Sequence, residues 1–177
     1  MKNVAIGTIS TLEYAEAKVV EGIGRQRYLA NRKAGVHNAK VVDGGDIKND
    51  VDGLGAEYAF CKLFNVMPDL TIGIRSAKNG EDGGDAILHN GLSVDVKSTS
   101  YETGRLISVP WKSTNSHVDL YCLMTGECPT YTFRGFYRRE DLFLENNKLE
   151  LRKGNISYGV KQDKLKTLEE ISAAILS

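Results

Sequence analysis

Three carboxylates and one amine are the residues of this chain whose types and spacing could do chemistry. Asp95 and Lys97 stand two apart, so on a strand both side chains point to the same face. Asp85 opens the apolar run before them, and Glu57 interrupts an apolar stretch further upstream. An acid beside an amine, with other acids nearby, suits a divalent cation together with a polarising ammonium. Carboxylate oxygens take Mg²⁺ or Mn²⁺, ions that keep several waters. Such a metal lowers the pKa of a bound water and offsets charge on a phosphate as the P–O bond breaks. Lys97 would position that water, help deprotonate it and stabilise the developing negative charge. A compact ammonium with a tunable pKa does this well.

Residues 83–100, GGDAILHNGLSVDVKSTS, position three of the four groups. Apolar runs 86–88 and 92–96 flank Asn90-Gly91, which reads as a β-hairpin. Loop length then decides where Asp85 points. A two-residue turn pairs His89 with Leu92 and sets Asp85 opposite Val96, facing away from Asp95. A three-residue loop, 89–91, pairs Leu88 with Leu92 and sets Asp85 opposite Asp95, with Gly91 in the left-handed position. A metal site therefore predicts the longer loop or a compensating bulge. The bland alternative is a strand with two solvent-facing charges and a surface Asp85.

Glu57 belongs to a helix predicted over 51–64, whose apolar residues, among them Leu54, Phe60 and Phe64, surround most of the cylinder. Burying an unpaired carboxylate is costly. Glu57 therefore needs a cation or a buried Lys or Arg, unless it reaches out to solvent.

Around this centre the periodicity supplies a frame. Residues 10–34 carry a helical stripe of Leu12, Ala15, Val19 and Ile23, which Gly22 and Gly24 would kink or break. Residues 38–52, rich in Gly, Asp and Asn, predict a loop. After the hairpin, 105–109, 118–124 and 130–137 predict a third, fourth and fifth strand, punctuated by Pro110, Gly126 and Pro129. Residues 138–142 suggest a short helical turn. Thr167-Leu168-Glu169-Glu170 is a capping box ahead of Ile171, Ala174 and Ile175, so an amphipathic helix closes the chain. The predicted class is α/β, a central mixed sheet of about five strands flanked by helices. One domain, 1–177, is expected: a helical region and loop over 1–50, a core over 51–137, and a C-terminal extension and helix over 138–177.

Composition narrows the classes. At 41% apolar and 26% charged residues the chain is of ordinary globular make-up. No apolar run is long enough to cross a membrane, and no secretory leader is expected. Cys61, Cys122 and Cys128 are odd in number and lack CxxC spacing, which suits reduced thiols in a cytoplasmic protein better than a zinc cluster. Lys plus Arg and Asp plus Glu both total 23, so net charge does not decide about nucleic acid. Distribution says more: 22–40 holds Arg25, Arg27, Arg32, Lys33 and Lys40 with no acid, and 43–57 holds five acids against Lys48. That pattern fits phosphate contact beside a metal site, and equally a solvated helix face before a polar loop.

Several familiar patterns fail. GLGAEY and GIGRQR lack the third glycine of a dinucleotide loop, and no GxxxxGK[ST] exists. Asp50-Val51-Asp52-Gly53 lacks the alternating acids and terminal Glu of an EF-hand loop. His37, His89 and His117 are scattered singly, and Ser98 and Thr99 have no triad pattern.

With Glu57 in the preceding helix, Asp85 opening a strand and Asp95-Val96-Lys97 as a (D/E)-x-K element, the chain resembles the PD-(D/E)XK nuclease superfamily, the restriction-endonuclease-like fold. The resemblance covers about residues 51–109 and includes the helix–strand–strand–strand order. Gly83-Gly84 stands where the superfamily has a proline before the strand acid. The resemblance implies metal binding by Glu57, Asp85, Asp95 and the Val96 carbonyl, with Lys97 as the catalytic lysine. It implies a Mg²⁺-dependent deoxyribonuclease, with Arg25, Arg32, Lys33, Arg105 and Lys112 as candidate contacts to the DNA backbone. Such contacts would make binding salt-dependent, and a homodimer is compatible by analogy. Two other readings stay open: a catalytically inactive nuclease-fold module that binds DNA or assembles complexes, and a phosphoesterase acting on small nucleotides. The residues do not separate endonuclease from exonuclease, or DNA from RNA.

Overall fold

The computed structural model of the chain describes residues 3–35, 45–72, 84–115 and 117–176. It is an α/β fold built on a five-stranded mixed sheet. The strands are β1 (Ile9–Thr11), β2 (Ala86–Ile87), β3 (Ser93–Thr99), β5 (Leu120–Glu127) and β6 (Thr130–Arg138), in the order β1-β6-β5-β3-β2. The β3–β5 ladder is parallel; the other ladders of this sheet are antiparallel. A second sheet of three strands, β4 (Leu106–Ser108), β7 (Lys148–Arg152) and β8 (Asn155–Val160), has the order β4-β8-β7.

β5 is central and buried on both faces, so its successive residues feed two cores. Leu120, Cys122 and Met124 join the core under helix α2 (Gly45–Phe64), with Phe60, Phe64, Phe133 and Phe136. Phe133 and Phe136 meet each other and Phe64 edge to face, Phe64 and Phe133 at 5.4 Å between centroids, while Phe60 and Phe64 are tilted by 31°. Tyr121 and Leu123 point the other way, into a smaller core with Leu106, Leu142 and Val160 beneath the second sheet. Helix α1 (Tyr14–Lys33) packs on α2, and helix α5 (Leu168–Leu176) packs on β6. The Thr167 hydroxyl and the Glu170 carboxylate form the expected cap of α5.

Four expectations need correction. The first helix is unbroken through Gly22 and Gly24, and it starts at Tyr14 because residues 9–11 pair with β6 instead. Gly24 serves a close approach between helices: a Cβ there would lie 2.9 Å from the Cα of Val51. The part of the expected loop from 45 to 52 is the start of α2, and 38–44 lies outside the described residues. Its acids fall in the first turns of the helix, where the macrodipole favours them, and Lys48 pairs with Asp52 one turn on, at 2.5 Å. Finally, the strand expected at 105–109 does not extend the main sheet: β4 pairs with β8. Two short helices complete the frame, α3 (Lys112–Asn115) and α4 (Arg139–Leu142), the latter at the turn expected over 138–142.

Candidate active site

The β2–β3 hairpin has the longer loop. Ala86 pairs with Val94 and Ile87 with Ser93, and the Leu88 N–H donates to the Leu92 carbonyl at 2.9 Å. His89, Asn90 and Gly91 form the connection, with Gly91 at φ +86°. That register aims Asp85 at the position opposite Asp95, but the ladder departs from it at its end. The Asp85 N–H donates to the Val94 carbonyl at 2.7 Å, and its Oδ2 accepts the Val96 N–H, also at 2.7 Å. Gly84, at φ +82°, permits this bend: a Cβ there would lie 2.7 Å from the Val94 carbonyl oxygen. In an extended strand the N–H and C=O of one residue point to the same side. The Val96 carbonyl therefore faces the edge that the Asp85 carboxylate occupies.

Asp95 lies on the opposite side of β3 from Val94 and Val96, toward Tyr121 and the second sheet, and is 1% exposed. Lys97 and Lys112 both form ion pairs with it, one to each carboxylate oxygen. Burial alone would raise the Asp95 pKa; the two ammonium charges and their hydrogen bonds outweigh it and hold the carboxyl below its usual value. Lys97 also lies over the Tyr121 ring at 5.8 Å from its centroid. Lys112, expected as a DNA contact, reaches Asp95 from α3 and keeps only 13% of its side chain exposed.

Glu57 has the basic partner that its burial demands. Arg27 of α1 pairs with it at 3.1 Å, and the same guanidinium donates to the carbonyls of Asp69 at 2.6 Å and Thr71 at 3.0 Å. One side chain thus clips α1, α2 and the segment after α2 together. Arg27 was legible only as one cation of the basic stretch 22–40, and the sequence does not show which acid, 30 residues on, it would meet.

The three acids flank two buried thiols. Burial, then the negative charges of Glu57 and Asp85, push the Cys61 thiol up to about 12. Burial, then Cys61, Asp85 and Asp95, push Cys122 well above its usual value. Thiols held this way stay protonated at neutral pH and are poor nucleophiles.

Two cavities meet at Lys97. The smaller, about 340 Å³, is lined by Arg27, Glu57, Asp50, Asn31, Val96 and Lys97, among others. The larger, about 840 Å³, lies between the end of β3 and the second sheet and includes Arg105 and Arg152. Asn49, Lys97 and Ser98 line both. So Glu57, Val96 and Lys97 share one cavity and Arg105 opens on the adjoining one. Arg25 is exposed and pairs with Glu21 at 3.1 Å, Arg32 lies 5.0 Å over the Tyr28 ring, and Lys33 is exposed at the end of α1. Arg152 was missed because β7 was not expected.

The donors fit a hard cation in kind. Asp85, Asp95 and the Val96 carbonyl offer oxygen from adjacent strands, and Mg²⁺ needs only one or two carboxylates beside waters and a substrate phosphate. Among the described residues no group of three or more His, Cys, Asp or Glu stands close enough to hold a metal ion by itself.

The chain belongs to a family whose description reads "Family of unknown function (DUF5843)"; the match spans residues 2–177. No curated protein matches the chain.

Proposed function

We propose that this family member is a Mg²⁺-dependent nuclease of PD-(D/E)XK type that hydrolyses phosphodiester bonds in DNA. The observation that carries the reading is the buried Asp95 held by two lysines, one of which, Lys97, lies where the two cavities meet. Asp85, Asp95 and the Val96 carbonyl would hold Mg²⁺ or Mn²⁺, with Glu57 at the margin through its tie to Arg27. Bound there, the ion supplies an acidified water and charge neutralisation at the phosphate. Lys97 would orient the phosphate and stabilise charge developing on its oxygens, in a site partly withdrawn from water. Lys112 keeps Asp95 ionised and in place when Lys97 turns to the substrate. Arg105 and Arg152 would take the neighbouring phosphates.

The test is cleavage of plasmid and single-stranded DNA with Mg²⁺ or Mn²⁺, set against EDTA. Lys97→Ala should lower the rate by orders of magnitude while circular dichroism shows an intact fold. Cleavage retained by that variant removes Lys97 from the mechanism, and wild-type protein that cuts neither substrate ends the enzyme reading.

One observation favours a second reading, a nuclease-fold module without catalysis. Asp95 and Glu57 already have basic partners, Lys97 and Lys112 for one and Arg27 for the other. A site satisfied in this way has less need of a metal. Calorimetric titration with Mn²⁺ separates the two: heat of binding that disappears in Asp85→Asn supports the enzyme, and no heat supports the module.

A further inference from the structure

The larger cavity has features that a seat for one phosphate does not require. Its walls include Ile107 and Leu151, Arg105 and Arg152 carry charge along it, and Tyr101 lines it with 70% of its surface exposed. Its volume, about 840 Å³, lies in the range of pockets that enclose an organic ligand. Ser108 also lines it, and the buried Ser108 Oγ has no hydrogen-bond partner among the described residues. A buried hydroxyl left unpaired is costly.

The loop that presents Tyr101 is built rather than loose. Gln162 donates to the carbonyls of Glu102 at 2.7 Å and Gly104 at 2.8 Å. Arg134 reaches Glu102 at 3.6 Å, and the Gly104 N–H closes a turn onto the Tyr101 carbonyl at 2.9 Å. The loop backbone that carries Tyr101 is therefore fixed beside the cavity, and the ring stands largely exposed along its wall.

We propose that this cavity receives an unstacked nucleobase, so that the substrate is single-stranded DNA, with the base stacking on Tyr101 and its flanking phosphates on Arg105 and Arg152. Within a duplex a base is covered on both faces by its neighbours and cannot enter a cavity of this kind without being extruded. A single strand pays no such cost, and an aromatic face beside guanidinium groups is a sequence-tolerant way to hold it. The inference rests on the nuclease reading only for the scissile phosphate, which Lys97 would meet at the junction of the two cavities. Binding itself needs no metal.

Fluorescence anisotropy in EDTA tests the pocket apart from the chemistry. Wild-type protein is titrated against labelled oligo(dT) and against its duplex with oligo(dA). Single strand should bind roughly 10-fold tighter than duplex, and Tyr101→Ala should remove most of that difference, as stacking on one aromatic is worth. Arg152→Ala should weaken both forms and lower the salt dependence. Equal affinity for the two forms, or a Tyr101→Ala variant that keeps the preference, overturns the proposal. So does thymidine monophosphate displacing oligo(dT) at comparable concentration, since the seat would then serve a free nucleotide. A parallel assay with Mg²⁺ keeps the two readings apart. Preference for single strand without cleavage removes the nuclease but leaves the pocket; cleavage without preference does the reverse.

Discussion

The Asp85 carboxylate accepts the N–H of Val96 at 2.7 Å, which ties the acid just before β2 to the middle residue of Asp95-Val96-Lys97. Asp85 is therefore part of the sheet as well as a candidate ligand, and the two roles separate on substitution. Asp85→Ala leaves a buried N–H without its acceptor and should cost about 1–3 kcal/mol in urea denaturation. Asp85→Asn keeps an acceptor oxygen and should cost well under that, yet it removes the charge a cation would need. Under the nuclease reading both variants lose cleavage. Loss confined to Asp85→Ala would make the residue structural only.

Asp95 should dominate the acid limb of stability. Its carboxyl titrates below its usual value in the folded chain, from the balance of burial against Lys97 and Lys112. The folded pKa being lower than the unfolded one, the contribution is full above the unfolded value and is lost as pH falls through the folded one. Urea midpoints should therefore hold steady from neutral pH to about pH 4 and fall below it. Asp95→Asn should lower the midpoint at neutral pH, because two ammonium groups lose their counter-charge, and should flatten the acid decline. An unchanged acid limb in that variant would show that other carboxylates control it.

Arg27→Met removes one partner of the Glu57 pair and the clip on residues 69–71 together. Both side chains keep some exposure, 14% and 16%, so the loss should be about 3 kcal/mol, the lower end for a broken buried pair. Adding Glu57→Gln should restore part of it, because the stranded charge goes too. A double-mutant cycle with no coupling would show that the pair is idle.

Gly24→Ala places a methyl against the Val51 backbone where the two helices touch. Helix propensity alone favours alanine by about 1 kcal/mol, and overpacking opposes it by about 1–3 kcal/mol. A net loss is expected by thermal denaturation, with a gain at Gly22, which a Cβ would leave clear of neighbours.

The hairpin was legible because two apolar runs flank Asn90-Gly91, but its register was not: a two-residue and a three-residue connection both fit the residues, and Asp95 and Lys97 share a face under either. The start of α2 was not legible. Its Gly, Asp and Asn residues have weak helix propensity, and its support comes from side-chain pairing and the chain packed against it: Lys48 meets Asp52 and Glu127, and Val51 meets Gly24. The second sheet was missed for a different reason. β7, Lys-Leu-Glu-Leu-Arg, does alternate polar and apolar residues, but it is only five residues long and mostly exposed, so no sizeable apolar face marks it as part of a core. Arg27 and Glu57 show the limit of reading pairs from sequence. Glu57 announced a need for a partner, but only the packing of α1 on α2 joined it to Arg27.

The groove beside Lys97 has walls of different origin. Arg105 lies on the connection that leaves β3, so backbone continuity fixes that wall to the acid and its lysines. Leu151 and Arg152 stand on β7, which in its sheet pairs with β8, and β8 in turn meets β4 through Leu106–Val160, Ile107–Gly159 and Ser108–Tyr158. The tip of that hairpin can therefore lengthen, shorten or exchange residues without disturbing the order of groups around Asp95. Under the nuclease reading, exchanging that hairpin is a route to altered selectivity that leaves the acid–amine centre in place.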